Sequence, residues 1–374
     1  MTILAMVALA QAQAQTPQGS IWDRLKFDAN GRMRGEATFD NVNAGNGADD
    51  NNRYRGRFRF RVGAKYTMTE ELMLGARMST ASDGTGGEAT DANNPHWDFG
   101  DGDGFNGSGM VLDRFFLNWK SCEDVNVVIG KQPQAFETPN KYLFGDFVWD
   151  SDISPSGVAV KWAPKTEGPT FDARVAGYVA EEIGGSDDPK VLGAQGNIYL
   201  PMDEAKLHLS TALQDWKHVA NLTNAAAINQ GNSAGEDDFL IWDTFLAGTM
   251  PGGPLDEMTG YVEFINNLDE SEQGFVLGAQ LGSSAWKKGN YNVFALIYDL
   301  DGDAVFSPTA QDDTAVGGTG LNDGDGDGMN GVVFGGQYFW RDNIAFKLWV
   351  LTSDPDGADD EPIRLRFDMD FNVK

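Results

Sequence analysis

Arg53-Tyr54-Arg55-Gly56-Arg57-Phe58-Arg59-Phe60-Arg61-Val62 is the stretch that decides the fold. Successive side chains of an extended strand point to opposite faces. Arg53, Arg55, Arg57, Arg59 and Arg61 therefore form a ladder on one face, while Tyr54, Phe58, Phe60 and Val62 cover the other. A soluble sheet has little use for stacked guanidiniums backed by aromatics. A barrel in a membrane has, because one face meets lipid and the other lines a wet lumen. The competing reading is a solvated basic face on a soluble β-protein.

Working outward, the preceding segment predicts a strand over 26–39. Lys26, Asp28, Asn30, Arg32, Arg34, Glu36 and Thr38 share one face; Phe27, Ala29, Gly31, Met33, Gly35, Ala37 and Phe39 share the other. Strict alternation over such a length is longer than most soluble strands need and suits a tilted membrane crossing. At the far end of the chain, Ile363, Leu365, Phe367, Met369, Phe371 and Val373 alternate with Arg364, Arg366, Asp368, Asp370, Asn372 and Lys374.

Between these ends the alternation predicts thirteen more strands after the ladder strand: 72–82, 111–120, 125–132, 155–163, 169–180, 190–200, 205–216, 239–250, 258–267, 274–285, 290–300, 331–340 and 344–352. Short turns such as Glu70-Glu71 and Pro201-Met202-Asp203-Glu204 alternate with long polar loops. The total of sixteen is even, as closure with both termini on one side requires, and the short–long asymmetry is that of an up-and-down membrane barrel. Segments 290–300 and 331–340 carry apolar residues at both parities, so their inward faces are expected to meet a plug or loop.

Composition sets the bounds. At 374 residues the chain suits one large barrel. A formal charge of −28, from 56 acidic against 28 basic residues, argues against nucleic acid as a partner. A mean hydropathy of −0.37 is compatible with a membrane barrel, whose strands are only half apolar. No run approaches the apolar length of a membrane helix. With Cys122 the sole cysteine, no intramolecular disulfide can form, and its polar turn makes it an incidental thiol.

Residues 1–14 read as the end of a secretory signal, with an apolar core over 3–10 and small-residue cleavage sites around Ala10, Ala12 and Ala14. No basic segment precedes that core, which suggests a start further upstream. Cleavage after Ala14 would leave 15–374 as a single barrel domain.

Few motifs point to chemistry. His96, His208 and His218 lack metal-ligand spacing to one another, and there is no nucleophile elbow, phosphate loop or dinucleotide fingerprint, so neither an enzyme nor an organic cofactor is expected. Asp323, Asp325 and Asp327 resemble the start of a calcium loop, but the twelfth position is Phe334 rather than Glu, which rejects an EF-hand. Weak calcium or magnesium bridging by this cluster, and by Asp98, Asp101 and Asp103 or Asp299, Asp301 and Asp303, stands against simple solubilising acidic loops.

The connection 133–154 is the most informative. It carries Phe136, Tyr142, Phe144, Phe147 and Trp149 together with Glu137, Asp146, Asp150 and Asp152. An external loop needs no such density of aromatics, whereas a loop folded against the barrel wall does. Its flanks, Ile129-Gly130-Lys131-Gln132 and Trp149-Asp150-Ser151-Asp152-Ile153-Ser154-Pro155-Ser156-Gly157-Val158-Ala159, resemble the third-loop region of bacterial porins. With the strand count, the Arg-rich start and the terminal strand, the chain is most similar to the "putative porin" group of sixteen-stranded outer-membrane channels. It departs from the usual barrel end in that Asn372-Val373-Lys374 follows Phe371.

The resemblance implies an all-β transmembrane antiparallel barrel in a Gram-negative outer membrane. It also implies a homotrimer in contact with the lipid bilayer and lipopolysaccharide, passing small hydrophilic solutes and ions. By the same resemblance the third loop narrows the pore, with Glu137, Asp146, Asp150 and Asp152 facing basic residues drawn from Arg32, Arg34, Arg53, Arg55, Arg57, Arg59 and Arg61. Opposed charges across a wet gap set up a transverse field that favours dipolar solutes. The alternatives are a loop that merely plugs the barrel, an anion- or substrate-selective channel, and a secreted soluble all-β glycan-binding or glycan-acting protein.

Overall fold

The structure, a computed structural model, describes residues 20–39, 52–80, 96–98, 109–222, 232, 237–252, 256–310, 328–355 and 362–373. A single helical turn, α1 (Ile21–Arg24), leads in. It is capped reciprocally by Ser20 and Asp23. Sixteen wall strands follow: β1 (Leu25–Phe39), β2 (Arg53–Thr67), β3 (Leu72–Thr80), β4 (Met110–Lys120), β5 (Val125–Lys131), β6 (Ser156–Trp162), β7 (Thr170–Val179), β8 (Lys190–Met202), β9 (Ala205–Lys217), β10 (Phe239–Pro251), β11 (Glu257–Asn267), β12 (Glu272–Gly282), β13 (Tyr291–Leu300), β14 (Met329–Arg341), β15 (Ile344–Thr352) and β16 (Ile363–Val373). Trp97–Asp98 and Asp354–Pro355 add short bridges to β2 and β14.

Every wall strand pairs antiparallel with its sequence neighbours, and β16 pairs with β1 from Ala29↔Val373 to Phe39↔Ile363. The sheet is thereby closed, which removes the unpaired edges that lipid could not satisfy. The strands predicted from alternation and the observed ones differ only at their ends. Burial follows the same period: on β13 exposed and buried residues alternate along the whole strand. On β8, Leu192 is 61% exposed while its neighbour Val191 is 3% exposed, so one parity faces out and the other in. The outer parity carries Phe27, Met33, Tyr54, Val175, Leu246 and Phe367, all exposed and apolar.

The long–short rule for connections bends twice. Residues 268–271, on the long-loop rim, close β11 to β12 as a tight turn with Ser271 in the left-handed region (φ 63). Residues 283–290, on the short-turn rim, are longer than that turn. Register, not loop length, fixes the rim to which each belongs.

Gly130 closes β5 with φ +118, and a Cβ there would meet the Phe115 carbonyl oxygen. Only glycine takes that conformation cheaply, and it falls one pair before the strand pairing ends at Lys131, after which segment 132–155 begins.

Candidate functional site

The ladder reading requires Arg53 to Arg61 to share one face, and register supplies the rest. On β1 and β2, Arg32 lies opposite Arg59, Arg34 opposite Arg57 and Glu36 opposite Arg55. On β1 and β16, Arg32 lies opposite Asp370, Arg34 opposite Asp368 and Glu36 opposite Arg366. Three adjacent strands thus present a grid of charges to the interior. Arg32 Nε donates to Asp370 Oδ1 at 2.7 Å, Arg34 Nε to Asp368 Oδ1 at 2.7 Å and Arg366 Nε to Glu36 Oε2 at 2.5 Å. Arg55 also pairs with Glu36, and Arg57 Nη1 stands 3.8 Å from the same carboxylate. Arg53, opposite Thr38, is exposed at the rim.

The grid is therefore compensated only in part by carboxylates of its own strands, three of them standing against Arg32, Arg34, Arg55, Arg57, Arg59, Arg61 and Arg366. Glu36, Asp368 and Asp370 supply that compensation, and the sequence reading passes over them as site residues. A signal for them exists: they sit at inward parity on the two strands that must close against the ladder. Trp349 on β15 floors the grid, its Nε1 donating to Asp368 Oδ2 at 3.2 Å and its ring lying under the guanidiniums of Arg34 and Arg366.

Segment 132–155 brings one more carboxylate to the grid. Asp152 accepts from Arg59 Nη1 at 2.8 and 2.7 Å and from Arg61 Nη1 at 2.9 Å. The other three acidic residues make further contacts. Glu137 takes Arg174 Nη2 at 2.5 Å and Lys141 Nζ at 3.3 Å, on the β7–β8 side. Asp146 Oδ2 accepts from Ser151 N at 3.3 Å, and Asp150 Oδ1 accepts from Asp152 N at 2.6 Å. Those last two are turn contacts within the segment.

The aromatics explain how the segment is held. Trp149 Nε1 donates to Gln214 Oε1 on β9 at 2.6 Å, and its ring packs on Trp216 and Tyr178. Phe147, fully buried, packs on Tyr298 of β13, and Phe144 on Trp349 of β15. Tyr142 meets His208, and Tyr261 donates its hydroxyl to the Phe144 carbonyl at 2.9 Å. These partners come from inward-facing positions on β7 to β15, so the apolar inward residues of β13 and β14 cover an apolar segment rather than water.

A second buried segment is one that sequence reasoning misses. Residues 303–310 read as part of the acidic external loops, yet Ala304, Val305, Phe306 and Ala310 are buried, as is Asp303. Phe306 stacks on Trp216 at 4.5 Å and touches Phe239 at 5.5 Å. Asp150 N donates to the Thr309 carbonyl at 2.7 Å, joining this segment to 132–155. The legible signal is the apolar run Ala304-Val305-Phe306 inside an Asp/Gly-rich loop.

Electrostatics follow from contact. Burial alone would raise the Asp152 carboxyl; the guanidiniums of Arg59 and Arg61 outweigh it and hold the group well below the ordinary carboxylate range. Glu137 is likewise pushed up by burial and held lower on balance by Arg174 and Lys141.

For metals, His218, Asp237 and Asp238 gather their ligand atoms within 4.8 Å of one another. Lys217 Nζ already neutralises Asp238 at 2.9 Å and Asp215 at 3.1 Å. Asp323, Asp325 and Asp327, the calcium candidates, lie outside the described residues, as do residues 1–14. Asp299 and Asp301 are exposed.

The chain has relatives both in sequence and in fold. A family profile described as "putative porin" matches residues 8–249. No curated protein matches the sequence. Among solved structures, OprB of Pseudomonas putida, determined at high pH, superposes with a TM-score of 0.59 at 10% identity, over 94% of this chain and 95% of that one. OmpF of Salmonella typhi, solved in complex with daunomycin, gives 0.54 at 12% identity, over 93% and 98%. A mutant of the Rh. blastica porin gives 0.50 at 12% identity, over 93% and 100%. At such identities the likeness is one of fold.

Proposed function

The chain belongs to the putative porin family, and from that premise we propose that it forms a passive channel for small hydrophilic solutes and ions across a Gram-negative outer membrane. The observation that carries the reading is Asp152, on the inward segment, seated on Arg59 and Arg61 of the wall. The segment crosses the interior from the apolar β7–β15 side to the charged β1–β2–β16 grid. A solute is thereby confined between fixed charges and the segment's edge, where partly exposed Arg32, Arg55, Arg59, Asp370 and Asp152 set the local field. Conduction needs no turnover and no cofactor. The reading also takes residues 1–14 as an export signal and the native assembly as a homotrimer.

The test is current across a planar bilayer containing the purified, folded protein, with a salt gradient to give a reversal potential. Stepwise openings are expected. A folded barrel, judged by heat-modifiable migration on gels, that passes no current would defeat the channel reading. Chemical cross-linking in detergent that yields only monomer would defeat the trimer.

A further inference from the structure

Beside the grid, the wall holds a second group of cations. Arg77 on β3, Arg114 on β4 and Lys131 at the end of β5 converge on one residue of the inward segment, Ser154. Arg114 Nε donates to Ser154 Oγ at 2.9 Å and Arg77 Nη2 to the same oxygen at 3.4 Å, while Lys131 Nζ donates to the Ser154 carbonyl at 2.9 Å. Both acceptors are neutral. Arg77 also pairs with Asp113, and Arg61, the next cation along, pairs with Asp152. Among the described residues, no carboxylate lies within ion-pair distance of Arg114 or Lys131.

The donor count points the same way. A guanidinium carries five N–H donors in a planar fork, and an ammonium carries three. Arg114, half-buried, spends its Nε proton on Ser154, and Lys131, exposed, spends one donor. Ser154, itself 6% exposed, accepts twice and has its own hydroxyl proton left to give. Like charges held close together in a partly dehydrated niche repel unless an anion joins them. A planar or tetrahedral oxyanion matches the guanidinium fork, and an ammonium beside it adds a point charge.

We propose that Arg114, Lys131, Arg77 and the Ser154 hydroxyl form a subsite for an oxyanion, a phosphate or carboxylate group carried by a permeating solute. It rests on the channel reading and names a solute class for it. The subsite lies next to the Asp152–Arg61 contact, so an anion leaving the grid finds it one strand further round the wall. Arg77, shared with Asp113, is a positioning residue. Arg114 and Lys131 make the contacts.

The experiment measures chloride current through single channels while inorganic phosphate, and in parallel acetate, is titrated into the bath. Phosphate is expected to reduce the current saturably in the natural protein. Arg114→Gln and Lys131→Gln are each expected to raise the half-blocking concentration about tenfold, the order expected for losing one charge-assisted contact. Arg114→Lys, which keeps the charge but loses the fork, should fall between, and Lys165→Gln in an exposed turn should change nothing. Absence of block in the natural protein, or block in the two glutamine variants equal to that in the natural protein, overturns the subsite. Calorimetric titration of the detergent-solubilised protein with phosphate separates it from the channel reading. Binding that Arg114→Gln abolishes, in a protein that passes no current, would sustain the subsite and defeat the channel.

Discussion

One nitrogen of Arg59, Nη1, donates to both oxygens of Asp152, at 2.8 and 2.7 Å, and this contact ties the inward segment to the wall ladder. The residues are 93 positions apart in sequence. Arg59 thus takes its counter-charge from a long connection rather than from its own strand, so the charge balance of the ladder depends on where that connection sits.

Asp152→Asn is expected to leave the barrel folded and shift the reversal potential toward anions, because Arg59 and Arg61 lose their shared counter-charge. The check is the salt-gradient potential of the variant beside that of the natural protein. An unchanged potential would place the selective region elsewhere.

Protonation of the same group gives the pH dependence. The Asp152 carboxyl is held below its unfolded value, so the stability it contributes is fully present above the ordinary carboxylate range and is lost progressively as pH falls from that range through the depressed folded value. Selectivity is therefore expected to stay constant from neutral pH down through mild acid. A transition centred near about 3.9, the unperturbed aspartate value, would show that Arg59 and Arg61 do not hold it.

Glu36 accepts from Arg55 and Arg366 and faces Arg57, with its side chain 1% exposed. Glu36→Gln removes the shared charge from three guanidiniums at once. The expected loss is about 3–5 kcal/mol, the scale of a broken buried pair, read from urea unfolding in detergent micelles.

Gln214→Leu tests the other anchor. It leaves the indole Nε1 of Trp149, 2% exposed, without its acceptor. The cost is expected to be about 1–3 kcal/mol, with a change in tryptophan fluorescence and noisier open-channel current as the segment loosens.

Phe306→Ala addresses the second buried segment. It empties the space against Trp216 and Phe239 and is expected to cost about 3–5 kcal/mol. Because Thr309 holds Asp150 through the backbone, the variant should also disturb the Asp152 contact. An unfolding curve and reversal potential both equal to those of the natural protein would show that the segment is a bystander.

The alternation along 26–39, 53–62 and 363–374 carried the two faces, and its repetition in thirteen further segments carried the even strand number that closure requires. This is so because side-chain direction in a strand is a local property with a period of two. It also showed that 133–154 had to bury its aromatics, since Phe136, Phe147 and Trp149 have no reason to face water. Which of Glu137, Asp146, Asp150 and Asp152 meets the ladder was decided only in three dimensions. So were the burial of 303–310 and the convergence of Arg77, Arg114 and Lys131 on Ser154. Those pairings depend on where a long connection lands once the wall has closed, and no local periodicity records the far side of a barrel.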